Sequence, residues 1–347
     1  MSRIFLVLVL ICCCACTAQP LPSEVDLPAH HSKTGFTNPY IEEPDKSFFS
    51  FLTMRFFGDE QWADHQALAS QVPVEPVQLE RIASPQSQLQ VTWLGHSMFL
   101  IQYQGKNILT DPIFSDRASP LSFAGPKRYI PHVMDYKNLP PIDAVVISHS
   151  HYDHLDLKAV KQLAKNSHFF VPLKLKQWFL EQDISAAKVS ELDWWQSQDF
   201  NDISFQALPS QHWSARGLGD RFATLWASWS ITIGDKHLWF AGDTGYNPVQ
   251  FKLIGERVAA IDLAMIPIGA YAPRWFMQPY HVNPQEAVQI HQDIGARKSI
   301  GMHWGTFPLT AEEPGEPPIK LEQAKQNSQI DPQAFISMAV GQTLIID

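Results

Sequence analysis

Four side chains able to bind metal fall within six residues, His149-Ser-His151-Tyr-Asp153-His154, directly after Asp143-Ala-Val-Val-Ile-Ser148. This pairing constrains the fold more than any other feature, because a short apolar run that reads as a buried strand ends where the cluster begins. At a strand's end, residues two apart point to the same face, so His149 and His151 can both reach one ion. Asp153 and His154 then sit on the turn opening a helix predicted from Leu155 to about Asn166, where they can face a second ion. Two metals roughly 3.5–4 Å apart can clamp the attacking and leaving oxygens of an in-line displacement. The cluster therefore reads as half of a two-metal hydrolytic site rather than as a solvated histidine-rich turn.

A binuclear centre needs further ligands, and each remaining candidate follows a predicted strand. His212 in Pro209-Ser-Gln-His-Trp follows the strand 203–208, Asp243 in Ala241-Gly-Asp-Thr-Gly follows His237 to Phe240, and His303 in Gly301-Met-His-Trp-Gly follows Ser299. Singly, a strand-end histidine is more often a structural hydrogen bonder, and an aspartate before Thr-Gly is often a turn residue. Loops on one rim can nevertheless converge their side chains, and these three complete a set. The assignment gives one zinc His149, His151 and His212, the other Asp153, His154 and His303, with Asp243 bridging and acting in catalysis. Nitrogen and oxygen donors suit Zn2+ best, with Mn2+ or Fe2+ open on ligand type alone. Two such ions, less two carboxylates and a bridging hydroxide, leave roughly +1, a fit for a monoanionic phosphodiester. The ions would supply that hydroxide by lowering the pKa of bound water to about 7. His96, where the first strand turns, and Asp111, opening an irregular loop, are expected to support the ligands, and His281 to reach the substrate. His30, His31, His65, His132, His168, His237 and His291 read as ordinary surface, strand or loop histidines.

With 26 Lys+Arg against 35 Asp+Glu, a net charge of −9 and no basic run, the chain lacks the clustered cations that a nucleic-acid backbone requires. All four cysteines lie at positions 12, 13, 14 and 16. The body of the chain therefore has neither a disulfide nor a thiolate ligand. Met1-Ser-Arg3 followed by the apolar Ile4 to Ile11 reads as an export signal over 1–16, too short to span a bilayer comfortably. Cys16, after Ala15, is the candidate lipid-modified first residue of an exported, membrane-anchored lipoprotein, periplasmic or outer-membrane in a double-membraned bacterium. Cys14, cleavage near Ala18 and an uncleaved anchor remain alternatives. Residues 17–45 read as a tether, packing late around Gly35 to Pro39, and 46–347 as one hydrolase domain. Within it, strands are predicted at 88–94, 98–103 and 107–110, then helices at 155–166 and 174–182 around a strand at 168–171, a second set of strands at 203–208, 224–233, 237–241 and 263–268, and strands at 299–302 and 344–346 that close the sheet. Asn283 is expected to cap a helix from Pro284, with Glu286 completing a capping box. Strands followed by helices, twice over, suggest two sheets sandwiched between helices. The aromatic run Phe48 to Phe57 reads as a groove wall or membrane-facing patch, with a buried helix as the alternative. A homodimer is compatible with the sequence.

Assembled, these residues make the chain resemble the metallo-β-lactamase superfamily, and within it the N-acyl-phosphatidylethanolamine-hydrolysing phospholipase D family. The likeness covers about 88–320, through Val91-Thr-Trp-Leu-Gly-His96, Thr110-Asp-Pro-Ile-Phe114, Gly125-Pro-Lys-Arg128, His149 to Asp156, Ser210-Gln-His-Trp213, Phe240 to Tyr246, Ile266 to Tyr271 and His303-Trp-Gly-Thr-Phe307. Gly269-Ala-Tyr271 and Pro273-Arg-Trp-Phe-Met277 are the stretches more specific to the phospholipases. The resemblance implies an αβ/βα sandwich, two zincs on one rim, and hydrolysis of N-acyl-phosphatidylethanolamine to an N-acylethanolamine and phosphatidic acid. It also implies that His281 lies beside the phosphate, orienting the substrate or helping the leaving group, and that Tyr271 is among the substrate contacts. The loop before Gly125 departs from the animal enzymes, setting Ser122 and Phe123 where those have a polar amide and a tyrosine lining the lipid groove. Before His281, Pro279-Tyr280 replaces a Tyr-Gln pair. A lactonase, another phosphodiesterase of the same fold, and a non-catalytic metal-binding surface lipoprotein are the competing readings.

Overall fold

The computed structural model describes residues 28–346, apart from 45 and 47. The expected export signal and Cys16 lie outside the described residues. Two short helices, α1 (Phe48–Phe57) and α2 (Leu79–Ala83), precede the sheets. The strands then run β1 (Leu89–Trp93), β2 (Phe99–Tyr103), β3 (Lys106–Thr110), β4 (Ala144–Val146), β5 (His168–Pro172) and β6 (Val189–Leu192). They continue with β7 (Ser197–Phe200), β8 (Ile203–Leu208), β9 (Ser228–Ile233), β10 (Lys236–Phe240), β11 (Leu263–Pro267), β12 (Lys298–Met302), β13 (Phe335–Ser337) and β14 (Thr343–Ile346). They form two seven-stranded sheets, in the orders β14-β1-β2-β3-β4-β5-β6 and β13-β12-β11-β10-β9-β8-β7.

Each sheet begins as an antiparallel meander and continues in parallel, and connection length decides which. Gln104-Gly105, at φ 48° and 74°, makes the tight turn that joins β2 to antiparallel β3. Parallel neighbours need longer crossovers. Helices α3 (Leu157–Leu163) and α4 (Lys176–Glu181) carry the chain from β4 to β5 to β6. In the second sheet α5 (Gln250–Arg257), then α6 (Arg274–Met277) with α7 (Pro284–Asp293), and finally α8 (Glu316–Ser328) do the same between β10 and β13.

Alternation along β4 and β5 explains why their sequence is apolar throughout. Ala144, Val146 and Phe170 join the core between the sheets, while Val145, Phe169 and Val171 pack outward with Val160, Leu163 and Phe179 of α3 and α4. Phe170 and Phe205 stack across the two sheets, ring centres 3.9 Å apart. The capping box is present: Asn283 accepts from the Glu286 amide while Glu286 accepts from the Asn283 amide.

Several boundaries differ from the sequence reading. The helix expected from Leu155 starts at Leu157, because Asp156 is its N-cap and also accepts from the Phe114 and Ser115 amides. The short strands β6, β7 and β13 and helices α2, α5 and α8 were not expected. Over its described part, the stretch expected as a tether is packed: Phe36 is buried in the core, and His30 and His31 both bond to Asp193.

Candidate metal centre

The two sheets set their loop-bearing rims together, and the expected ligands come from four of those loops. His149 to His154 follow β4, His212 follows β8, Asp243 follows β10 and His303 follows β12. Gly242, at φ 58°, delivers Asp243: a Cβ there would stand 2.6 Å from that of Ser148. Backbone in the left-handed region is spent on non-glycine residues as well, at His96 (φ 53°), Asp111 (φ 33°) and His303 (φ 61°). Such conformations cost of order 1 kcal/mol or more each and persist where the surroundings impose them.

Donor atoms converge in two groups. In one, His151 Nδ1 lies 2.8 Å from His149 Nε2 and 3.3 Å from His212 Nε2. In the other, His303 Nε2 lies 3.1 Å from His154 Nε2, and both stand 3.3 Å from Asp153 Oδ2. Asp243 Oδ2 sits between the groups, 3.1 Å from His303, 3.2 Å from His154, 3.8 Å from His212 and 4.0 Å from His149. Tetrahedral zinc with Zn–N bonds of about 2.0–2.1 Å sets its ligand nitrogens roughly 3.3 Å apart, close to these separations. Asp243 Oδ1, His281 Nδ1 and His303 Nδ1 are buried without a hydrogen-bond partner. The donor set, all imidazole and carboxylate, thus fits a pair of zinc-like ions.

Around the donors, other groups fix ring orientation, as is usual behind metal-bound histidines. His154 Nδ1 bonds to Asp111 Oδ2 at 2.6 Å. Ser148 joins the same carboxylate and meets His149 Nδ1 at 2.9 Å, so one buried aspartate orients two candidate ligands. The Tyr280 carbonyl accepts from His212 Nδ1 at 2.9 Å. His96 Nε2 bonds to Asp153 Oδ2 at 2.9 Å, and its ring lies 4.1 Å from that of His303. His96 and Asp111 thus both contact candidate ligands, Asp153 and His154.

Electrostatics are governed by burial against two carboxylates. Burial pushes the pKa of His149 well below the ordinary histidine value and those of His151 and His212 down to about 3. These three are neutral, as metal-binding imidazoles must be. Burial would also depress His154 and His303, but Asp243 with Asp153 outweighs it, raising His154 well above its ordinary value and His303 to about 9. Against burial, the same histidines hold Asp153 and Asp243 well below the usual carboxylate range.

Among the substrate candidates, His281 joins the cluster, with Nδ1 3.9 Å from Asp243 Oδ2 and its ring 5.0 Å from that of His212. Burial drives its pKa well below the ordinary value. Phe123 is exposed, and the Ser122 carbonyl accepts from Arg117 Nε. Tyr271 is buried, and its hydroxyl is engaged by Glu316 Oε1 at 2.7 Å. Ser148, the Tyr280 carbonyl and Asn38, whose Nδ2 donates to the His212 carbonyl at 2.8 Å, were missed by sequence reasoning. Only Ser148, beside the cluster, carried any signal.

A family model described as a beta-lactamase superfamily domain matches residues 106–304. The solved structure of Igni18, a metallo hydrolase of Ignicoccus hospitalis, matches 75% of this chain and 99% of its own at a TM-score of 0.56. At 22% identity it speaks to the fold alone. The chain belongs to the metallo-β-lactamase superfamily. Its sequence is 43% identical to N-acyl-phosphatidylethanolamine-hydrolyzing phospholipase D 1 of Caenorhabditis elegans, over 81% of this chain and 82% of that one. The mitochondrial enzyme of the same name from Saccharomyces cerevisiae is 40% identical over 67% of this chain and 50% of its own. Within the superfamily this chain is therefore a metal-dependent hydrolase of the N-acyl-phosphatidylethanolamine-hydrolysing phospholipase D type.

Proposed function

We propose that the chain hydrolyses N-acyl-phosphatidylethanolamine to an N-acylethanolamine and phosphatidic acid, with two zinc ions. The carrying observation is the partition of the donors into two groups sharing Asp243 Oδ2. His149, His151 and His212 would hold one ion, Asp153, His154 and His303 the other, with Asp243 common to both. When bound, such a pair activates water near neutral pH and draws charge from a phosphodiester.

In this reaction the P–O bond to the N-acylethanolamine breaks, water's oxygen joins phosphorus, and the departing oxygen takes up a proton. Asp243 keeps one buried oxygen free of protein partners, Oδ1, able to accept a hydrogen bond from the attacking water and orient it. With its pKa held well below the usual carboxylate range, it positions the water rather than taking its proton. His281, kept neutral by burial, acts as an orienting donor to the phosphoryl or departing oxygen rather than as a standing acid. Its conservative replacement should therefore be the milder one: His281→Gln retains more turnover than His281→Ala, read as kcat/KM.

The site must take its lipid from a bilayer, and Phe49, Phe56 and Phe57 on α1 are 75%, 67% and 84% exposed. That face favours the membrane-facing reading of the aromatic run over a buried helix. No described helix is long and apolar enough to cross a membrane. An exported lipoprotein anchored at Cys16, with Ser122 and Phe123 at the lipid groove, completes the proposal; the mass of the mature amino-terminal peptide tests the anchor.

The deciding experiment incubates the purified protein with N-acylated and plain phosphatidylethanolamine, a generic phosphodiester and a lactone, with and without chelator. Chelator-sensitive release of N-acylethanolamine from the N-acylated lipid is expected. Turnover of the lactone alone would defeat the phospholipase reading, and metal retention without any turnover would favour a binding protein.

A further inference from the structure

Outside the candidate centre, the described residues bring together one more group of imidazoles and carboxylate. His30 Nε2 lies 2.7 Å from Asp193 Oδ1, and His31 Nε2 lies 2.8 Å from Asp193 Oδ2. All three donor atoms fall within 4.8 Å of one another. The two rings meet edge to face with centres 4.5 Å apart and planes at 79°. His149 and His151 in the candidate centre meet in nearly the same way, at 4.5 Å and 81°.

This second group is built, not incidental. His30 and His31 sit on a tight turn closed by the Thr37 amide donating to the His30 carbonyl and by an antiparallel bridge from His31 to Phe36. Phe36 anchors the turn in the core. Trp194 stacks on His30 with ring centres 4.3 Å apart and planes at 21°, fixing where its Nε2 points. Asp193 is held from the other side: its Oδ1 also accepts from the Trp194 amide. The side chains of His31 and Asp193 keep 20% and 14% of their exposure, so water can enter to complete a coordination sphere.

We propose that His30, His31 and Asp193 form a further divalent-metal site that clips the amino-terminal turn onto the connection between β6 and β7. Two imidazoles and a carboxylate are the donor set that suits zinc, copper and nickel, whereas calcium and magnesium take oxygen. The clip has a consequence for the centre. The same amino-terminal segment continues to Asn38, which bonds the His212 carbonyl, and to Glu43, which accepts from the Tyr280 hydroxyl. Zinc at the turn would thus stiffen a strap running to the backbone of a candidate ligand.

The test is a difference between two proteins. The full chain and its His30→Gln/His31→Gln variant are loaded with Zn2+, desalted and assayed by elemental analysis. Glutamine keeps an N–H that can bond Asp193, so the turn can stay clasped while the imidazole donors are gone. Wild type should carry one more zinc per chain than the variant, however many ions the cluster around Asp243 holds in both. Zinc should also slow amide exchange over residues 30–37 in wild type and leave the variant unchanged. Asp193→Asn supplies an independent variant should the double substitution fold poorly, with the same loss of one zinc expected. Equal zinc content in wild type and the folded variants overturns the proposal and leaves a hydrogen-bonded clasp.

Discussion

Asp111 shows how much can depend on one buried side chain. It orients His154 directly and reaches His149 through Ser148, so its loss frees two candidate ligands together. Removing such outer partners typically costs 10–100-fold in metal affinity or activity. Asp111→Asn should fall in that range, with Ser148→Ala milder, measured as zinc retained against a competing chelator. Chelator-stripped protein offers a second measurement. With the pKa of His303 raised to about 9 and that of His154 raised too, both imidazoles are protonated near pH 7 and must lose a proton to bind metal. Zinc affinity should therefore rise as pH is raised through neutrality toward the His303 pKa of about 9, and calorimetry in buffers of differing ionisation enthalpy should detect the protons released. At this scale the sequence was informative: the seven candidate ligands were legible because chemistry restricts them to a few residue types at strand ends. Supports drawn from the backbone, such as the Tyr280 carbonyl behind His212, leave no trace in residue type.

Secondary-structure elements were legible where a local cause dominates. Helix α7 announced itself through Asn283, Pro284 and Glu286, whose reciprocal bonds close its first turn. Asn283→Ala should cost about 1 kcal/mol and lower Tm by roughly 1–2 °C in a chain of 347 residues, with kcat unaffected. Gly242→Ala is expected to behave differently. Its φ of 58° and the 2.6 Å approach to Ser148 both oppose a methyl group, so stability and turnover should fall together as Asp243 is displaced. The edge strands β7 and β13 escaped the sequence reading for a physical reason. Only the first residue of β13 is buried, and β7 is exposed along most of its length, so pairing with the neighbouring strand rather than an apolar pattern defines them.

At the scale of the whole molecule, the two-sheet sandwich followed from the order of strands and helices, and so did a closing strand at 344–346, but not the partner that strand finds. The last strand, β14, returns to pair with β1 in the first sheet, a contact between residues about as far apart in the chain as the domain allows. The packing of residues 30–43 against the domain was equally hidden, since His30 and His31 meet Asp193 only once both sheets are formed. Membrane engagement belongs to this scale too. Burying a phenylalanine contributes about 1.5–3 kcal/mol. Phe56→Glu with Phe57→Glu should therefore weaken sedimentation with phospholipid vesicles by well over tenfold while sparing hydrolysis of a small soluble phosphodiester.

The connection between β6 and β7, residues 193–196, is where the chain first passes from one sheet to the other, before β14 returns. Cut there, the polypeptide would yield one fragment bearing His149, His151, Asp153 and His154 and another bearing His212, Asp243 and His303. Neither piece holds a complete set for either ion, and β14 on the second piece still seeks β1 on the first. On the two-zinc proposal the metal would tighten a split protein already joined through β14 and β1: the fragments should co-elute on gel filtration at lower concentration with zinc than with chelator, and report their reunion through recovered turnover.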